Sequence, residues 1–179
     1  GAIYFRISSR LSTIFFDHVI TDSNEMSKIY KKEFNKESTI IAYGSTMNNQ
    51  VNNEYLKKYG LKKNNYYLVV GRLIPDNNSR LILDGFLKSK SKKKLVIVGD
   101  VPYSDKYADE IKKYQSKKII FTGYINNQNQ LSSIYKNCYA YLHGHEFGGT
   151  NPTMINALCL NSQIIALDTP FNNEMLENR

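Results

Sequence analysis

From Tyr66 onward the chain alternates short apolar runs with segments of helical period, and that rhythm constrains the fold more than any other feature. The runs are "YYLVVG", "KLVIVG", "KIIFTG", "CYAYLHG" and "SQIIAL". None alternates apolar with polar residues, as a strand with one wet face does. Strands that are apolar throughout are covered on both faces, which is the habit of parallel sheets. Between them lie "NNSRLILDGFLKS", "SDKYADEIKKY", "NQLSSIYKNC" and "NPTMINALCL". In the second, Tyr103, Tyr107, Ala108 and Ile111 share one helical face; in the third, Leu131, Ile134, Tyr135 and Cys138 do. Strands alternating with such helices make βαβ units. The expected fold class is α/β, a Rossmann-like doubly wound parallel sheet.

The preceding part reads differently. Ile3, Ile7, Leu11, Ile14 and Phe15 recur at helical spacing. "HVIT" is a short strand, and "DSNEMSKIYKKEF" a helix capped by Asp22 or Ser23 with Glu25 in its first turn. "STIIAYG" is a strand ending at Gly44, and the Asn-rich stretch from Ser45 to Lys63 holds one short helix near "NNEYLKKYG". A chain of 179 residues buries one ordinary core. Starting at Gly1 rather than Met fits a fragment of a longer protein.

Charge and cysteines narrow the function classes. The net charge of +8 suits an anionic partner: a nucleotide, a nucleic acid or an anionic membrane surface. Much of it lies in "KSKSKKK", Lys88 to Lys94, which reads either as a solvated loop before a strand or as a polyanion-binding patch. Cys138 and Cys159 sit in apolar segments without metal-ligand spacing, as buried free thiols of a reducing compartment do. No apolar run reaches the ~18 residues of a membrane-spanning helix.

Ligands of open α/β sheets bind beyond the carboxyl ends of the strands. Those ends are "GRLIPDNN", "GDVPYSD", "TGYINNQ" and "HGHEFGGTNP". Arg72 offers a planar fork suited to a phosphate pair, or is a surface arginine beside an ordinary cap. Pro75, Asp76, Asn77 and Asn78 read as a turn into a helix N-terminus. In "HGHEFGGTNP", Asn151 suits an N-cap and Pro152 the first helical position. Gly148 and Gly149 let a ligand approach backbone N–H groups, or merely make a turn. A carboxylate beside an anion site repels the anion, so Glu146 fits neutral sugar hydroxyls better. His143 and His145 flank Gly144, but no third ligand follows at metal-binding spacing, and His143 reads as a packed strand residue. Tyr124 and Ile125, in a plain βα turn, border the same edge.

Taken in order, "DHVITDS", "IIAYG", "VVGRLIPDNN", "LVIVGD", "IIFTGYI", "HGHEFGGTNPTMINAL" and "LDTPFNNEML" resemble the C-terminal, nucleotide-sugar-binding half of GT-B glycosyltransferases. The likeness is greatest to glycosyltransferase family four, especially its bacterial rhamnosyltransferase-like members. It implies that residues 1–45 are an inter-domain junction, the end of a missing acceptor domain and the crossover from it. Residues 46–179 would be the nucleotide-sugar-binding domain, incomplete at its C-terminus. Arg72 would grip the donor diphosphate, the Gly148–Gly149–Thr150–Asn151 loop would cradle its phosphates, and Tyr124 and Ile125 would contact the base. Many relatives carry two glutamates around this loop. Here the second position is Asn156, left to serve the ribose, and the first falls on Gly148, two residues past Glu146. Asn77 stands where relatives carry a lysine.

The resemblance further implies a retaining hexosyl or rhamnosyl transferase of polysaccharide biosynthesis. It would need no metal or other cofactor, since the nucleotide-diphosphate sugar is a substrate. The acceptor, a glycan or lipid-linked glycan, would be bound by the missing N-terminal domain, so the fragment alone would be inactive. It would work in the cytoplasm, with room for peripheral association at the inner face of the membrane and no nucleic-acid partner. Two other readings stay open. Asn77 and Asn156 suit a non-catalytic nucleotide-sugar-binding module, and the charge suits a basic nucleic-acid-binding domain, whose binding salt would weaken steeply.

Overall fold

The structure, a computed structural model, describes residues 2–47 and 50–177, and the chain divides into two units. The smaller consists of residues 1–44, 147–151 and 168–179. It opens with helix α1 (Ala2–Phe15), whose expected apolar face (Ile3, Ile7, Leu11, Ile14 and Phe15) is exposed. A parallel pair follows, β1 (Ile20–Thr21) and β2 (Thr39–Ile40), with helix α2 (Asn24–Phe34) between them. Of the two candidate caps, Ser23 is the one used: its Oγ accepts the Met26 N–H at 3.2 Å. Both strands are shorter than expected. Ile41 and Tyr43 are 58% and 60% exposed, so the second run has no buried face along which to continue the ladder.

The larger unit, residues 45–146 and 152–167, contains the regular part of the sequence. After the one-turn helix α3 (Glu54–Lys57) come β3 (Tyr66–Val70), α4 (Ser79–Lys88), β4 (Lys94–Val98), α5 (Lys106–Lys112), β5 (Ile119–Gly123), α6 (Gln128–Asn137), β6 (Ala140–His143), α7 (Pro152–Cys159) and β7 (Ile164–Ala166). The five strands pair in the order β5-β4-β3-β6-β7, all parallel, as the unbroken apolar runs require. On one side of the sheet Leu73, Leu83, Phe86, Leu95, Ile97 and Ile111 are buried together. Each such side chain contributes about 1.5–3 kcal/mol through area removed from water.

Two details differ from the sequence reading. Asp105 accepts the Ala108 N–H at 3.0 Å and starts α5 at Lys106, which leaves Tyr103 outside the helix and exposed. Cys138 is buried, and burial pushes its thiol up to about 12. Cys159, however, is exposed: α7 buries Met154 and Ala157, and a residue two places past Ala157 is turned off that stripe. One element went unread. Thr169 accepts the Asn172 N–H at 3.2 Å and Pro170 takes the first position of α8 (Pro170–Met175), which completes the smaller unit. Among the described residues no helix is long and apolar enough to cross a membrane.

Candidate functional site

The strand order turns at one place. From β3 the chain winds outward through β4 to β5, and from β6 it winds the other way to β7, so β3 and β6 are neighbours at the switch point. Open α/β sheets hold ligands beyond the carboxyl ends of such a strand pair. Beyond β3 lie Gly71, exposed Arg72 and a single 3-10 turn, Pro75–Asn77; beyond β6 lie Gly144, His145 and exposed Glu146. The two loops are tied together. The Glu146 N–H donates to the Asp76 carbonyl at 3.1 Å, and Asn78 Nδ2 donates to the Gly144 carbonyl at 2.9 Å. Gly144 must lack a side chain, because a Cβ there would lie 2.6 Å from the Asn77 carbonyl oxygen.

The histidines form a stack rather than a ligand set. Their rings lie 4.4 Å apart at 11°. His143 is buried, as the sequence suggested, with Nδ1 3.0 Å from the Tyr141 hydroxyl, which also donates to Thr153 Oγ1 at 2.8 Å. His145 is pushed down to about 4, first by burial and then by the Arg72 guanidinium, so it is neutral near pH 7. Among the described residues of these two loops, Arg72 then carries the positive charge. Among the described residues no group of three or more His, Cys, Asp or Glu is placed to hold a metal ion.

The other sequence candidates fall into three groups. Asn77 is buried, and its Nδ2 donates to the Arg72 carbonyl at 2.8 Å, fixing the backbone under the arginine. Asn156, on α7, accepts the Ser45 hydroxyl at its Oδ1, 2.8 Å away. Tyr124 (78% exposed) and half-buried Ile125 follow β5, two strands from β3. Gly148, Gly149, Thr150 and Asn151 belong to the smaller unit. There the Thr150 N–H donates to Asp22 Oδ2 at 3.1 Å, the Thr150 hydroxyl donates to the Asp22 carbonyl, and the Asn151 N–H points at Met175 Sδ at 3.2 Å. Helix α7 begins at Pro152, as the Asn-Pro pair suggested.

Sequence reasoning missed Asp22, Ser45 and the electrostatic role of His145. Asp22 had a signal, since two adjacent cap-forming residues compete for one cap and the loser is free for other work. Ser45 and Asn156 are 111 residues apart, and nothing local joins them.

Comparison with known proteins agrees with this architecture. Residues 51–179 match the family Glycosyl transferases group 1. Over 98% of its length the chain is 27% identical to the O-antigen chain mannosyltransferase RfbU of Salmonella typhimurium, covering 49% of that protein. Its fold is similar to that of Anabaena Alr3699/HepE in complex with UDP, with a TM-score of 0.78 at 15% identity, covering 95% of this chain and 50% of that one. It is also similar to a glycosyltransferase from Rickettsia africae, with a TM-score of 0.73 at 14% identity and 95% and 50% coverage. The chain thus spans about half the length of these relatives. The sheet is of the Rossmann-like kind found in C-terminal domains of GT-B glycosyltransferases, and the chain belongs to the Glycosyl transferases group 1 family.

Proposed function

We propose that this chain is the donor-binding part of a retaining glycosyltransferase that moves a hexose or deoxyhexose from a nucleoside diphosphate to a glycan or lipid-linked acceptor. The observation that carries the reading is Arg72, an exposed guanidinium beyond the carboxyl end of β3 at the sheet's switch point, beside an imidazole held neutral. In sugar transfer the bond from the anomeric carbon to the diphosphate oxygen breaks, and its electron pair leaves with the diphosphate. A fixed cation at that oxygen is worth more in the transition state than in the ground state. Arg72 takes that role, as a planar donor fork suited to two phosphate oxygens.

Glu146, exposed on the loop after β6, faces sugar hydroxyls, and Tyr124 and Ile125 take the base. Asn156 takes the ribose once its bond to Ser45 opens. In the Gly148–Asn151 loop the Gly148 and Gly149 N–H groups receive phosphate, since those of Thr150 and Asn151 are directed at Asp22 and Met175. No metal is required in this scheme. UDP bound to the Anabaena neighbour and the mannosyl transfer named for the Salmonella relative support a nucleotide-sugar donor. The acceptor is held by residues outside these 179, since the chain covers 49% of its Salmonella relative, and the assembled enzyme works in the cytoplasm, with room for peripheral association at the inner face of the membrane.

A second reading has one observation in its favour. Asn156 and Asn77 both spend their amides inside the protein, as a binding module without chemistry would allow. A thermal-shift panel of UDP-, dTDP- and GDP-sugars tests the first reading, because a ligand of the folded state raises Tm by mass action. One nucleotide sugar should stabilise the protein, and Arg72→Ala should abolish that shift. Arg72→Ala retaining turnover within about threefold of wild type refutes the catalytic role. Binding without hydrolysis or transfer in the full-length protein selects the module.

A further inference from the structure

Asp22 is the acidic residue that the helix cap left over. With Ser23 capping α2, the Asp22 carboxylate is directed instead at the loop 147–151 of its own unit. Its own placement is fixed on both sides. Thr21 is paired with Ile40 in the β1–β2 ladder, and its hydroxyl lies 2.9 Å from Ser38 Oγ, while α2 begins two residues after Asp22. From this platform the carboxylate accepts the Thr150 N–H at 3.1 Å, and the Asp22 carbonyl accepts the Thr150 hydroxyl. Gly149 lies directly against the carboxylate: a Cβ on it would run into Oδ1, Cγ and Oδ2. Gly148, the residue before, has φ +118, a conformation that L side chains rarely adopt.

We propose that Asp22 is a positioning residue for the donor's phosphates, acting through the Gly148–Asn151 loop and not on the substrate itself. The inference rests on the donor-binding reading above. A backbone cradle binds an anion only when its N–H groups converge, and a loose loop has to lose its conformational freedom on binding. Asp22 removes that freedom in advance. Its carboxylate fixes the direction of residue 150, its carbonyl fixes the Thr150 side chain, and the missing Cβ of residue 149 lets both contacts form. Gly149 is thus explained by the clamp behind the loop as much as by a ligand in front of it. The Asp22 carboxylate accepts the Thr150 N–H, and the Gly148 and Gly149 N–H groups precede the clamped residue in the chain.

The test compares Asp22→Ala, Asp22→Asn, Gly149→Ala and the double variant D22A/G149A. Calorimetric Kd values are measured for UDP, dTDP and GDP, with Tm recorded for each protein. For the tightest-binding nucleotide, Asp22→Ala should raise Kd at least tenfold. Asp22→Asn, whose amide oxygen still accepts the Thr150 N–H, should stay within threefold of wild type. Gly149→Ala should weaken binding comparably, and the double variant should bind no worse than either single one, since Cβ and carboxylate compete for one space. Three results overturn the proposal: Asp22→Ala within twofold of wild type, full additivity in the double variant, or Asp22→Asn binding tighter than wild type. The last would make the carboxylate a competitor of the phosphate. If wild type binds none of the three nucleotides, the donor reading falls and takes this one with it. Wild-type binding that no variant changes removes this one alone.

Discussion

Replacing His145 by glutamine should flatten part of the protein's acid sensitivity, by an amount the structure fixes. In the fold the imidazole is held at about 4 against an ordinary 6.5, because it is largely withdrawn from water and faces Arg72. Between those values the unfolded chain carries a proton on His145 that the folded one does not. Stability from this group is therefore whole above pH 6.5, falls as the pH drops through the window, and stops falling below about 4. Integrating over the window gives a loss of about 2 kcal/mol between pH 7.5 and pH 5, and about 3 kcal/mol once below pH 4. For a chain of this size, 2 kcal/mol is about 4–8 °C in Tm.

The assay is urea or thermal unfolding of wild type and His145→Gln at half-unit steps from pH 7.5 to 4. Other groups titrate in both proteins and cancel. Losing the ring stack on His143 offsets the variant at every pH without altering the slope. The difference between the two curves should thus be constant above pH 6.5 and shrink by about 2 kcal/mol by pH 5. Parallel curves refute the reasoning, as does a His145 proton resonance titrating above pH 6. Arg72→Gln offers a check on cause: it removes the second contribution, so the His145 midpoint should rise part of the way towards 6.5 while burial keeps it depressed.

Other outcomes follow from single contacts. Gly144→Ala puts a methyl group 2.6 Å from the Asn77 carbonyl and should cost about 2 kcal/mol in urea unfolding while weakening nucleotide binding, because the loops beyond β3 and β6 are pushed apart; unchanged stability refutes the contact. Tyr141→Phe removes a fully buried hydroxyl shared by His143 and Thr153, and the groups left short of a partner should cost about 1–3 kcal/mol. Dialysis of the full-length protein against a chelator should leave sugar transfer unchanged; a tenfold loss restored by a divalent cation would falsify the metal-free scheme.

The sheet was legible because its signal is local. Each of β3 to β7 is one apolar run; burial on both faces holds for the inner strands β3, β4 and β6, while β7, at the sheet's edge, leaves Ile165 exposed, which an apolar run alone does not reveal. The short pair β1–β2 was overextended because nothing in "IIAYG" says which isoleucine finds a partner. Helix α8 has a local signal, Thr169 as cap and Pro170 at the first position, but at six residues it is too short to show an apolar period. At the candidate site, residue types were readable and their partners were not: Ser45 for Asn156 and Asp22 for Thr150 lie more than 100 residues away in sequence.

Asn77 shows what such partners change. By composition it is a lost cation, a neutral residue where the family resemblance implies a lysine. In the fold it is 8% exposed, and its amide holds the Arg72 carbonyl at 2.8 Å. An ammonium at so buried a position would pay a desolvation cost that an amide avoids. With His145 also kept neutral, the charge of the described residues in the loops beyond β3 and β6 rests on a guanidinium whose backbone is fixed from below. If Arg72 meets the diphosphate of the proposed donor, its backbone has no freedom left to lose and only its side chain must be ordered, a partial preorganisation that offsets part of what a second charge would add.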